Sequence, residues 1–126
     1  MILDASSLYM LLKGGNLKSL RNAETLDLAF YEIGNSMLKE LRRKLITPES
    51  FAKALKVLSL MGETLVVRKY GELDARRVSD LAQSVGLTIY DASYLALAKM
   101  SEETLATNDR ELSEAARRLG LRTIAV

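Results

Sequence analysis

Four acidic side chains stand where regular backbone meets a turn or opens a helix: Asp4, Glu32, Asp91 and Asp109. The chain contains no histidine and no cysteine. Imidazole ligands, Ser–His and Cys–His nucleophile pairs, thiolate metal sites and disulfides are therefore excluded, and any chemistry must rest on carboxylates, hydroxyls, lysine or backbone. Each acid taken alone has an ordinary explanation. Asp4, Asp91 and Asp109 suit the N-terminal turns of helices, where unpaired N–H groups and the helix dipole favour an anion. Glu32 lies off the apolar stripe of its helix, as a solvated surface glutamate would.

Gathered into one cleft, the same acids behave differently. Three or four carboxylates raise one another's pKa values unless a cation offsets their charge. An oxygen-only donor set suits Mg²⁺ or Mn²⁺ rather than zinc. Such an ion retains waters, lowers the pKa of one, and stabilises charge on a phosphodiester undergoing displacement.

The elements that would position these acids alternate along the chain. Met1 to Leu3 is a short apolar strand ended by Asp4, and Leu8, Leu11 and Leu12 mark a helix stopped at Gly14-Gly15. After a polar loop to Asn22, a strand from Thr25 passes into a helix reaching about Leu45, with Phe30, Ile33, Met37 and Leu41 as its stripe. Thr47-Pro48-Glu49 starts a further helix, closed at Gly62, and Thr64 to Val67 reads as a strand. Leu73 to Val85 is helical, ended by Gly86.

The segment from Asp91 to Met100 is apolar nearly all round, with only Ser93 and Lys99 left to face water, so it reads as a buried helix with Tyr94 and Leu95 in the core. Thr104 to Thr107 is a strand, Asn108-Asp109 leads into a helix closed at Gly120, and Arg122 to Val126 is the last strand. This alternation predicts an α/β fold of three α/β/α layers around a central, mostly parallel sheet. In such a sheet the strand ends and helix starts share one edge, where Asp4 and Asp109 can converge, with Asp91 delivered by the packed helix.

With 126 residues, 48% hydrophobic and 27% charged, residues 1–126 are read as a single globular domain. The opening MILDASSLYMLLKGG has an acid at its fourth position and an apolar run too short to cross a bilayer, which predicts a soluble cytoplasmic protein with no membrane association. A net charge of +2 permits a polyanionic partner without identifying one. The pairs Arg42-Arg43, Arg76-Arg77 and Arg117-Arg118 read as solvated helix faces.

Four motifs occur in a fixed order: LDASSL around Asp4, YEIGN with Glu32 and Asn35, YDASYLALA with Asp91, and TNDREL with Thr107 and Asp109. In that order and spacing the chain resembles the PIN domain family, in particular the single-domain VapC-type toxins of prokaryotic toxin–antitoxin pairs. The resemblance implies a metal-dependent endoribonuclease in which Asp4, Glu32, Asp91 and Asp109 hold one or two Mg²⁺ or Mn²⁺ ions. It implies that the Thr107 hydroxyl assists at the metal site, that Asn35 orients Glu32 or supports its helix, and that Ser6 stands behind the ligands. It also implies an RNA substrate, a cognate antitoxin whose tail occupies the cleft, and a homodimer. Two alternatives share the fold: a non-catalytic module binding RNA or protein, its acids serving as caps, and a housekeeping RNA-processing nuclease. A receiver-like phosphoacceptor domain lacks its required acidic pair beside Asp4.

Overall fold

Ile2 and Leu3 are fully buried on both faces of one short strand, which requires helices above and below it. The computed structural model, which describes all 126 residues, provides them. Strands β1 (Ile2–Leu3), β2 (Glu24–Leu26), β3 (Val66–Arg68), β4 (Leu105–Ala106) and β5 (Thr123–Ile124) form one sheet in the order β3-β2-β1-β4-β5. Every pairing is parallel, so the mostly parallel sheet expected from the alternation is wholly so. Ile2 stands opposite Glu24 on one side and Leu105 on the other, making β1 the centre of the sheet.

The helices are α1 (Ala5–Gly14), α2 (Asp27–Arg42), α3 (Pro48–Thr64), α4 (Ala75–Val85), α5 (Ile89–Ser101) and α6 (Arg110–Arg118). Right-handed crossovers put α1 to α3 on one face and α4 to α6 on the other. The contacts between helices fall into those two sets. No helix is long and apolar enough to cross a membrane.

Several boundaries differ from the sequence reading for local reasons. The second helix stops at Arg42, and Lys44 adopts a left-handed φ of 58°, so Leu45 turns out into solvent. Gly62 does not end α3. A Cβ there would meet the Phe30 ring at 3.4 Å, so the glycine lets α3 approach α2 while the helix runs on to Thr64. Two expected loop stretches contain short 3₁₀ turns, Leu17–Leu20 and Tyr70–Glu72.

Helix α5 is buried as its composition demands, with Ala92, Tyr94, Leu95, Leu97 and Ala98 at most 1% exposed. It begins at Ile89 rather than at Asp91, capped by the Thr88 side chain, which accepts the Asp91 N–H at 3.1 Å. Ser93, expected to face water, is buried because its hydroxyl donates to the Ile89 carbonyl at 2.7 Å and so needs no solvent. Met100, expected to be apolar core, is 53% exposed in the last turn. Glu102 follows that end of the helix, roughly 16 Å along the axis from Asp91, so it does not line the edge where Asp91 stands.

Leu97 is fully buried at the middle of α5. Leu97→Ala is expected to cost about 2–5 kcal/mol, measured as a fall in urea midpoint at unchanged m-value.

Candidate active site

The strand order places a topological switch between β1 and β4. From β1 the chain moves outward through β2 and β3, and from β4 it moves the other way to β5. Open α/β sheets receive ligands outside the carboxyl ends of the strands at such a point. Asp4 directly follows β1, and Thr107 directly follows β4.

Both residues are buried, Asp4 being 4% and Thr107 3% exposed. The Asp4 Oδ1 accepts the Ser7 N–H at 2.8 Å, capping α1, and the Ser6 hydroxyl at 2.8 Å. Its Oδ2 accepts the Thr107 hydroxyl. Thr107 Oγ1 accepts the Asp109 N–H at 3.0 Å, and Ser6 Oγ accepts the Asn108 N–H at 3.1 Å. Asp109 in turn caps α6 through the Leu112 N–H at 3.0 Å. Capping and convergence are therefore not rival roles for Asp4 and Asp109.

Glu32, which periodicity assigns to a solvated flank, is partly buried and accepts the Tyr94 hydroxyl at 2.9 Å. The bond joins α2 to α5 across the sheet edge. A buried tyrosine must find a partner for its hydroxyl, and that was the signal in YDASYLALA that assigning Tyr94 to the core alone passed over. Asn35 is exposed and its side chain makes no hydrogen bond, so Glu32 is held by Tyr94 and not by Asn35.

The electrostatics tie the acids together. Burial pushes Glu32 above the usual carboxylate range, the Tyr94 hydrogen bond opposes this, and the charges of Asp91 and Asp4 add to it. Burial likewise raises Asp91, a hydrogen bond with Thr88 opposes, and Asp109, Asp4 and Glu111 add to it. Burial and the Glu32 charge push the Tyr94 phenol up in turn. Glu111, in the first turn of α6, was not singled out in sequence because an acid there is ordinary helix-dipole chemistry.

No ion pair in the molecule includes Asp4, Glu32, Asp91 or Asp109. An oxygen-only set of acids with no basic partner, in which the neighbouring charges help raise Glu32 and Asp91, fits a hard divalent cation. The acids stand at one end of the sheet without closing on one point, since no three of them form a ready ligand group. Mg²⁺ suits that arrangement because it keeps several waters and takes only one or two carboxylates directly.

Comparison with known proteins agrees with this fold. Residues 1–118 match the PIN domain. The chain is 39% identical over 90 residues to Ribonuclease VapC3 of Pyrobaculum aerophilum, covering 71% of this chain and 68% of that protein. It is 35% identical over 113 residues to Exonuclease VapC9 of the same organism, covering 88% and 81%. The crystal structure of PAE2754, also from Pyrobaculum aerophilum, superposes with a TM-score of 0.83 at 31% identity, covering 99% of this chain and 87% of that one.

The raised pKa values carry a sign for stability. Between the ordinary carboxylate pKa and the raised native values the folded state holds more protons than the unfolded one, so stability falls as pH rises through that window. Glu32→Gln and Asp91→Asn remove this penalty. Each metal-free variant is expected to melt a few degrees above wild type at pH 7, the advantage vanishing below about pH 4, as followed by circular dichroism. Thr107→Val acts oppositely, leaving a buried Asp4 oxygen without its donor. A loss of about 2 kcal/mol is expected in urea unfolding.

Proposed function

The chain belongs to the PIN domain family, and from that membership we propose that it is a divalent-metal-dependent endoribonuclease, the toxin of a VapC-type toxin–antitoxin pair. One observation carries the reading: Asp4, Glu32, Asp91 and Asp109 stand without a basic partner at the switch point of a parallel sheet, and burial and neighbouring acid charges raise Glu32 and Asp91. A site that served only to cap helices would have no need to assemble them.

In this reading Asp4, Glu32, Asp91 and Asp109 hold Mg²⁺ or Mn²⁺. The bound ion supplies an acidified water and offsets charge on the phosphodiester. The chain's own groups do the positioning. Ser6, Ser7 and Thr107 fix both oxygens of Asp4, and Tyr94 fixes one oxygen of Glu32. Thr107 also holds the Asp109 backbone, so one hydroxyl sets the spacing between two acids. A cognate antitoxin would block this cleft, and pairing into a homodimer would give about twice the 14.0 kDa of one chain by light scattering.

The relative named as an exonuclease gives a specific ground for a second reading, cutting from chain ends. A labelled RNA offered as a linear strand and as a closed circle separates the two. With Mn²⁺ or Mg²⁺ the wild type is expected to open the circle and cut the linear strand, EDTA to stop both, and Asp4→Asn to lose more than about 100-fold. An intact circle beside a shortened linear strand would establish the exonuclease. Failure of folded wild type on every RNA, with either ion, would make the fold a binding module whose acids are caps.

A further inference from the structure

Tyr90, Tyr94 and Leu97 recur at i, i+4 and i+7 on α5 and so share one face of the helix. Leu97 and Tyr94 are 0% and 1% exposed, whereas Tyr90 is 60% exposed. The difference is position along the helix and not direction around it: Tyr90 continues the inward face one turn past the last packed layer. Helical side chains lean towards the N-terminus, so its ring projects beyond Tyr94, whose hydroxyl is bonded to Glu32. Asp91 is the next residue, about 100° round the axis. An exposed aromatic ring thus stands one residue from Asp91, on a face that elsewhere is core.

Charge says what the ring is for. The site carries four carboxylates, and none of the four has a basic partner. Arg110, the basic residue beside Asp109, is itself engaged by Glu114 at 3.0 Å. No lysine or arginine is thus fixed against the acids to neutralise phosphate, the usual source of nucleic-acid affinity. Uncharged stacking of a base on an aromatic ring can supply it.

We propose that Tyr90 is a stacking platform for a nucleobase next to the phosphate received by the acids. The proposal rests on the nuclease reading of the cleft. The platform is rigid at its base: Thr88 caps the first turn at 3.1 Å and the Ser93 hydroxyl braces the Ile89 carbonyl at 2.7 Å. Tyrosine also brings a large contact area for only two side-chain torsions. A base already paired in a duplex has no free face to offer it.

The test uses wild type, Tyr90→Ala and Tyr90→Phe on a short labelled RNA, single-stranded or annealed to its complement, with Mn²⁺ for cutting and Ca²⁺ for binding by anisotropy. Tyr90→Ala is expected to raise KM and the dissociation constant about 10-fold with kcat little changed, the pattern of lost uniform binding. Tyr90→Phe keeps the ring and should behave as wild type, and the duplex should be cut poorly by all three. Circular dichroism melts check that the variants remain folded. Wild-type cutting with an unchanged KM and dissociation constant in Tyr90→Ala overturns the stacking role and leaves the nuclease reading standing. Wild type that neither cuts nor binds overturns both.

Discussion

A carboxylate buried to 4% exposure persists only if its oxygens are hydrogen-bonded, and Asp4 meets that condition with groups from two distant parts of the chain. Ser6 and Ser7 come from the turn it opens, and Thr107, 103 positions along the chain, directly follows the adjacent strand β4. That small network fastens the ends of the two central strands together. It also sets where α1 and α6 begin, because Asp4 and Asp109 cap them and Thr107 bonds to both residues. The sheet edge on which the acids stand is thus built outward from one buried side chain.

Helix α5 supplies the next acid from the other face of the sheet. Its nearly continuous apolar surface lets it pass through the interior and bring Asp91 to the sheet edge without exposing backbone. Tyr94 then serves two purposes with one side chain, its ring filling the core and its hydroxyl reaching Glu32 on α2. The result is a set of acids brought to one end of the sheet by packing, although their charges raise Glu32 and Asp91. Strain of this kind concentrates where a ligand will relieve it, and it lowers the stability of the empty fold.

The alternation of strands and helices was legible because each element announces itself locally, through caps at Asp4 and Thr47 and apolar repeats such as Phe30, Ile33 and Met37. The all-parallel sheet and its switch point follow from that alternation, and with them the neighbourhood of Asp4, Thr107 and Asp109. Glu32 was not legible in the same way. Periodicity reports where a residue lies around its own helix, not what packs against that flank, and Tyr94 arrives from 62 positions away. Ser93 was misjudged for a related reason, since a hydroxyl that bonds within its own helix counts as polar in sequence and yet is satisfied without water. The resemblance supplied Glu32 as a site residue, but only the tertiary contact explains how it is held.

The proposed role of these carboxylates is together to hold a divalent cation. Titration of metal-free protein with Mn²⁺ by calorimetry tests it directly, comparing wild type with Asp91→Asn at pH 7. Saturable binding by wild type that weakens more than about 10-fold in the variant, both proteins being folded, is the expected result. Equal binding in the two, or none in wild type, would contradict it and return the four acids to the role of helix caps.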